Sequence, residues 1–142
     1  MTAPHEKKRQ FSSSLRDTNS AFLPGREQPR QQPVHVGFVL QEHFSMMAFT
    51  AAVDALVTAN LVRTAPLFRF STFGLSSSTI KSDLGIDISA TGQLDELPLQ
   101  GDDAIEVLII CGGFRCSLAE QPSLTAVLKS AARKQITLGG LW

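Results

Sequence analysis

The sequence is short of cysteine, of long apolar runs and, over most of its length, of basic side chains. Its two cysteines among 142 residues, Cys111 and Cys116, are too few for a disulfide framework or a zinc site. No apolar run reaches the roughly 18 residues of a membrane span, and the opening MTAPHEKKRQ lacks the apolar stretch of a secretory signal. These absences predict a reduced, cytoplasmic protein with no membrane partner, no metal site and no cofactor.

Charge is unevenly divided along a chain whose formal net charge is zero. Residues 1–33 carry six basic and three acidic side chains, which leaves seven basic and ten acidic side chains for residues 34–142. The longer part therefore lacks a basic stripe that could neutralise DNA phosphates, and no segment is typical of a helix-turn-helix. We predict no direct contact with DNA from residues 34–142.

Residues 1–33 are rich in glutamine, serine, proline and charge, and their few apolar residues follow no period. Such a segment buries too little apolar surface to offset the entropy of ordering it, so the composition predicts a disordered basic tail. A weak contact between its arginines and nucleic acid is the alternative to a solvated tail.

From residue 34 onward, apolar strands alternate with amphipathic helices. Strands are predicted at 34–40, 67–75, 105–111 and 136–141, and helices at 46–61 and 122–134. Ser45 is expected to cap the first helix, and short alternating segments around Asp83 predict a small β-ribbon. The last strand is predicted to be buried at 136–138 and to bend at its two glycines. This order of elements predicts an α/β fold, an open, doubly wound, mostly parallel sheet in a flavodoxin-like three-layer sandwich.

Open parallel sheets bind ligands where the carboxyl ends of their strands meet. Three segments follow such ends: QEHFS, CGGFRCS and the terminal GGLW. The candidate ligand-binding residues in these segments are Glu42, His43, Phe44, Gly113, Phe114, Arg115 and Trp142. His43 could contact a carboxylate, Glu42 a cation and Arg115 an anion, and a solvated loop side chain is the alternative for each.

The two cysteines suggest different roles. Cys111 ends an apolar strand and is typical of a core residue. Cys116 could be a reactive thiol, because Ser117 and Glu120 resemble a capping box and a helix N-terminus lowers a thiol pKa. A small side chain in a loop is the alternative for Cys116.

Other polar or sulfur-bearing residues favour structural roles. His35 lies inside the first strand, and Met46 with Met47 is typical of helix packing. Four acidic residues near a proline and a glycine are typical of a solvated loop more than of a metal site: Asp95, Glu96, Asp102 and Asp103.

Three stretches, in this order and spacing, resemble the class I glutamine-amidotransferase-like (ThiJ/PfpI) superfamily, and within it the N-terminal sensing domain of AraC-type transcriptional regulators. They are GFVLQEHFSMMAFTAAVDALVTAN, VLIICGGF and LTAVLKSAARKQITLGGL, and together they cover about residues 34–142. The resemblance implies that residues 34–142 are the first part of a ligand-sensing domain, with the helix-turn-helix domain absent from this chain.

Enzymes of this superfamily carry a nucleophilic cysteine in a sharp turn after the strand that resembles ITLGGL, and many have an acidic residue early in the first helix, hydrogen-bonded to it. The resemblance aligns Trp142 with the cysteine and about Ala48 with the acid. An indole cannot attack and a methyl group cannot move a proton. The resemblance therefore implies a pseudoenzyme with no catalytic residue.

The function that the resemblance implies is non-catalytic sensing of a small nitrogenous metabolite, such as an amino acid or a quaternary amine, by an AraC-type regulator. It also implies a homodimer that reaches DNA only through the absent helix-turn-helix domain. One alternative is a fragment of a ThiJ/PfpI-like cysteine hydrolase or glyoxalase that uses Cys116 or a residue beyond 142. Another is an interaction module that pairs through an open sheet edge, because a chain ending at Trp142 would lack the final strands and is expected to be truncated.

Overall fold

The computed structural model describes residues 32–61 and 66–142, so the predicted tail at 1–33 lies almost wholly outside the described residues. The elements in chain order are β1 Val34–Leu40, α1 Met46–Leu61, β2 Phe68–Gly74, β3 Thr79–Lys81, β4 Asp87–Ser89, β5 Gly92–Gln93, β6 Val107–Cys111, α2 Pro122–Arg133 and β7 Thr137–Leu141. Strands β5, β2, β1, β6 and β7 form a parallel sheet in that order, and β3 pairs with β4 in an antiparallel ribbon. The predicted α/β fold and its ribbon are confirmed.

Strand β1 occupies the middle of the sheet because it is apolar on both faces. Phe38 packs with Phe49 of α1 on one face, and Val39 packs with Ala131 of α2 on the other. Both β1 side chains are fully buried. The two helices therefore cover opposite faces of the sheet, which gives the predicted three-layer, doubly wound arrangement.

Both ends of α1 are fixed to neighbouring strands or loops. At the start, the Ser45 hydroxyl accepts a hydrogen bond from the Ala48 amide at 3.4 Å, as predicted for a capping residue. At the end, the Asn60 side chain accepts from the Leu67 and Phe68 amides at 2.8 and 3.0 Å and donates to the Phe68 carbonyl at 2.7 Å. These bonds hold α1 so that its N-terminus lies at the carboxyl ends of the strands.

The predicted bend at Gly139 and Gly140 is wrong. Both glycines lie inside β7, where Gly139 pairs with Ile109 and Gly140 with Ile110 of β6. Since the main-chain ladder with β6 continues through them, the strand extends to Leu141. The expected burial of β7 is also wrong, because residues 137–140 are exposed and Ile136, just before the strand, is the buried residue.

His35 has the structural role expected of it. Its buried ring lies 2.9 Å from the Ser71 hydroxyl through Nε2 and 2.8 Å from the Asp103 carbonyl oxygen through Nδ1. Asp103 also forms an ion pair with Arg69 at the surface. This network joins β1, β2 and the loop before β6 at the amino ends of the strands, away from the candidate site.

Candidate functional site

Three strand ends meet through main-chain hydrogen bonds at one edge of the sheet. The Gln41 amide donates to the Cys111 carbonyl at 3.1 Å, and the Gly112 amide donates to the Leu141 carbonyl at 2.9 Å. The Ser45 amide then donates to the Gly112 carbonyl at 2.7 Å. The segments after β1, β6 and β7 therefore lie side by side, as predicted, at the crevice where open α/β sheets bind ligands.

Two glycines after β6 allow the close approach of these segments. A Cβ at Gly113 would lie 2.9 Å from the Ser45 nitrogen and 3.1 Å from the His43 oxygen, so a larger residue would push the loop after β1 outward. A Cβ at Gly112 would lie 3.0 Å from Cε3 of Trp142. The indole of Trp142 therefore packs on the flat surface that Gly112 leaves.

Trp142 and Phe114 form an aromatic pair at the strand ends. Their ring centroids are 6.1 Å apart, and the ring planes meet at 71° in an edge-to-face arrangement. Phe114 is 95% exposed and Trp142 is 61% exposed. Exposed rings in this geometry offer a surface to an apolar or cationic group.

The predicted residues between β1 and α1 differ in what they present to solvent. The Phe44 side chain is fully buried against Phe49, with ring centroids 5.6 Å apart, so only its main chain lies at the strand ends. Glu42 is exposed, and His43 adopts a positive φ of 64° while its amide donates to the Lys81 carbonyl at 2.7 Å. The loop is thus held by its main chain and leaves the Glu42 carboxylate accessible.

Asp83, whose surrounding sequence predicts only the ribbon, holds the site together. Its carboxylate accepts from the Met46 amide at 3.0 Å, and its own amide donates to the Phe44 carbonyl at 2.9 Å. The Arg115 guanidinium donates to the Asp83 carbonyl at 3.2 Å. One residue of the ribbon thus contacts the start of α1, the loop after β1 and the loop after β6. An aspartate two residues before a glycine indicates a turn, but no local pattern pairs it with a helix 37 residues away.

No protein-family model matches the chain, but individual proteins do. The HTH-type transcriptional regulator GbdR from Pseudomonas aeruginosa is 25% identical over 122 residues, which are 86% of this chain and 32% of that regulator. A crystal structure of an AraC family transcriptional regulator from Pseudomonas putida is 40% identical, with a TM-score of 0.67 over 76% of this chain and 55% of that chain. A ThiJ/PfpI domain protein from Brachyspira murdochii has a TM-score of 0.60 at 12% identity, over 78% of this chain and 59% of that one, which shows the shared fold alone.

The chain is similar to AraC-type transcriptional regulators, and it shares its fold with a ThiJ/PfpI domain protein. It spans about a third of the length of the curated regulators that it matches and about half of the solved P. putida chain. The likeness that the three sequence stretches suggested is confirmed.

Neither cysteine has the environment of an activated thiol. Burial raises the pKa of Cys111 to about 12. Burial also raises the pKa of Cys116, although a hydrogen bond from Gly113 opposes the shift, and the nearby carboxylates add to it. The Cys116 thiol donates to the Glu42 carbonyl at 3.2 Å. A raised pKa leaves less thiolate at neutral pH, which counts against the alternative that uses Cys116 as a nucleophile.

The capping box expected beside Cys116 is wrong. Helix α2 begins at Pro122 with Gln121 as its N-cap, and the Ser117 hydroxyl accepts from the Ala119 amide at 3.2 Å within the loop. Cys116 therefore lies within the loop between β6 and α2 and not at a helix N-terminus.

Across residues 32–61 and 66–142, no helix combines the length and the hydropathy needed to cross a membrane. The same residues bring no three histidine, cysteine or acidic side chains together as a set that could hold a metal ion. The acidic side chains at 95, 96, 102 and 103 are exposed, but the predicted loop includes a short 3-10 helix at Leu94–Glu96, where the Glu96 carboxylate accepts from the Gln93 amide at 2.6 Å.

Proposed function

We propose that this chain is the non-catalytic, effector-sensing part of an AraC-type transcriptional regulator that responds to a small nitrogenous metabolite. The observation that carries the proposal is Trp142, which stands where the resemblance expects a nucleophilic sulfur. Its indole packs on Gly112 and beside Phe114. A ring in this position provides a binding surface and no nucleophile.

The absence of catalysis is also supported by three other positions. Ala48, at about the position of the superfamily's acid, has a methyl group that can neither orient nor protonate a substrate. Cys111 and Cys116, whose pKa values are raised by burial, are poor nucleophiles at neutral pH. These three positions together support a pseudoenzyme.

The effector binds where the three strand ends meet. Trp142 and Phe114 supply the aromatic surface and Glu42 an accessible carboxylate, both of which suit a cationic nitrogen. The guanidinium of Arg115, exposed apart from its bond to Asp83, suits an anionic group such as an amino-acid carboxylate. His43, Gly113 and the main chain of Phe44 complete the set.

We propose that the effector binds one of two arrangements of the regulator more tightly and so shifts the population toward it, with Asp83 joining the loops to the start of α1. We propose that the regulator works in the cytoplasm as a homodimer and contacts DNA through a helix-turn-helix domain outside this chain. Residues 34–142 form the first part of its sensing domain.

Calorimetric titration of the chain with a panel of amino acids and of primary to quaternary amines tests the proposal. We expect saturable heat from at least one nitrogenous compound and a loss of about tenfold or more in affinity for Trp142→Ala, by analogy with large aromatic contacts at binding sites. Leu138→Ala, on the exposed face of β7, is the matched control and is expected to bind normally. Heat from none of the compounds, or turnover of any of them, would overturn the proposal.

A further inference from the structure

A small cavity lies on the other side of Glu42, between the ends of β1 and β2. Its volume is about 150 Å³, and we call it the β1–β2 cavity. Its floor is apolar and consists of Leu40, Leu75 and Ile80. Its polar walls comprise Gln41, Glu42, Ser76, Ser77, Ser117 and Gln121.

The cavity wall is set by main-chain geometry. Gly74 ends β2 in a turn so tight that a Cβ there would overlap the Ser77 carbonyl oxygen. The Ser77 hydroxyl accepts from the Thr79 amide at 3.1 Å, which holds the turn against the ribbon. On the opposite side, the bond from the Cys116 thiol to the Glu42 carbonyl holds the loop that carries Ser117. The cavity is therefore a built feature of the fold.

The side chains that line the cavity favour a ligand that donates hydrogen bonds and carries positive charge. Three hydroxyls, two amides and one carboxylate all offer acceptor oxygens, and no lysine, arginine or histidine is among the lining residues. Lys81 lies close enough to feel the Glu42 charge, but its ammonium is paired with Asp87 at 2.7 Å. An anion would find no counter-charge in these walls.

The size of the cavity and the absence of aromatic side chains among its lining residues narrow the class of ligand further. A volume of about 150 Å³ holds about five waters, and hence a ligand of about four to six non-hydrogen atoms. A quaternary ammonium has no N–H to donate, and the cavity offers no aromatic face in its place. A primary ammonium has three N–H donors for the carboxylate and the hydroxyls.

We propose that the β1–β2 cavity binds a small primary ammonium compound, with its ammonium group on Glu42 and its remaining polar group on the serine and glutamine side chains. The inference rests on the proposed sensing function and names the effector class. Gln41, a residue of the cavity wall, also lies near Gly112: its Nε2 is 3.6 Å, and the Trp142 ring 3.0 Å, from where a Cβ of Gly112 would stand. We expect a ligand that contacts Gln41 to change the surroundings of Trp142 as well.

Calorimetry with ethanolamine and choline as probes tests the proposal on the unmodified chain. We expect ethanolamine to bind at least tenfold more tightly than choline, and Glu42→Gln to weaken ethanolamine binding about 10-fold to 100-fold, because a charge-assisted hydrogen bond is lost. Glu120→Gln removes the same charge from an exposed loop position and is expected to bind ethanolamine normally. Ser76→Leu, which fills the cavity from an exposed position, is expected to abolish binding.

The outcomes of these measurements distinguish a failure of this inference from a failure of the proposed function. If choline binds in place of ethanolamine and Trp142→Ala abolishes that binding, sensing at the aromatic pair stands and the cavity assignment is overturned. Ethanolamine binding that is unchanged by Glu42→Gln and by Ser76→Leu also overturns it. If no nitrogenous compound binds, both proposals fail. The comparison of ethanolamine with choline on the unmodified chain remains decisive should a variant fail to fold.

Discussion

Strands β1 and β7 belong to the same parallel sheet but differ in how they are supported. Strand β1 has neighbours on both sides, and Phe38, Val39 and Leu40 are fully buried. Strand β7 pairs only with β6 among the described residues, and Leu138 is 42% exposed. Two of the three segments at the candidate site are therefore anchored in the core, whereas the segment that carries Trp142 depends on the ladder to β6 and on its contact with Gly112.

The largest expected effect of this difference is on stability. Phe38→Ala should lower the free energy of unfolding by about 3–5 kcal/mol, because it opens a cavity in the core beneath α1. Leu138→Ala, its control on β7, should change the free energy by about 0.5 kcal/mol or less. Urea denaturation followed by circular dichroism measures both, and similar losses for the two variants would contradict the contrast between the strands.

The same contrast between the core of the sheet and β7 should make alanine substitutions at two glycines differ in their effect on stability. Gly113→Ala is expected to cost about 1–3 kcal/mol and to displace the loop after β1, because the new methyl group meets the main chain of Ser45. Gly139→Ala on β7 meets only a side-chain carbon of Ile109 at 3.6 Å and should be neutral or stabilising by about 0.5–1 kcal/mol. Thermal unfolding checks the pair, and a stable Gly113→Ala variant would refute the close packing at this junction.

A smaller effect is expected from Asp83. Asp83→Ala should lower the free energy of unfolding by about 0.5–2 kcal/mol, because the Met46 amide at the start of α1 loses its hydrogen bond to the Asp83 carboxylate. Amide hydrogen exchange should rise at residues 42–48 and stay unchanged at β7. The exposed Asp102→Ala variant is the control, and equal exchange patterns in the two variants would show that Asp83 does not hold the loop.

The smallest effect expected is on thiol reactivity. Since burial raises the pKa of both cysteines, alkylation by iodoacetamide at pH 7 should be slower than for a free thiol of ordinary pKa and should accelerate only above about pH 9. The raised pKa of Cys111 also stabilises the fold, because the folded state holds the thiol proton more tightly than the unfolded state does. This stabilisation is full below the ordinary thiol pKa and is lost as the pH rises toward 12. Rapid alkylation at neutral pH would restore the cysteine-enzyme alternative.

Local patterns predicted the elements of this fold because most of them are decided by their own side chains. VHVGFVL is apolar on both faces, and only a central strand buries both. The prediction of a bend at the two glycines of β7 is wrong because a Gly-Gly pair suits a bend or a strand equally well. The pairing of Gly139 and Gly140 with Ile109 and Ile110 decides between them.

The candidate site was only partly predictable from the sequence, because some of its contacts depend on where distant segments of the chain lie. The three strand ends follow from topology, so Glu42, Gly113 and Trp142 were identified from their positions. The burial of Phe44 depends on its contact with Phe49, and the role of Asp83 depends on where the ribbon lies. The β1–β2 cavity combines residues at the end of β1, after β2 and before α2, and no sequence window contains it.

The emission of Trp142 tests the central claim most directly, because it is the only tryptophan in a chain without tyrosine. An effector found by calorimetry should change the intensity or wavelength of this emission, with the same dissociation constant as the heat signal. Saturable heat with no change in Trp142 emission would place the ligand away from the strand ends and contradict a sensing site built around this residue.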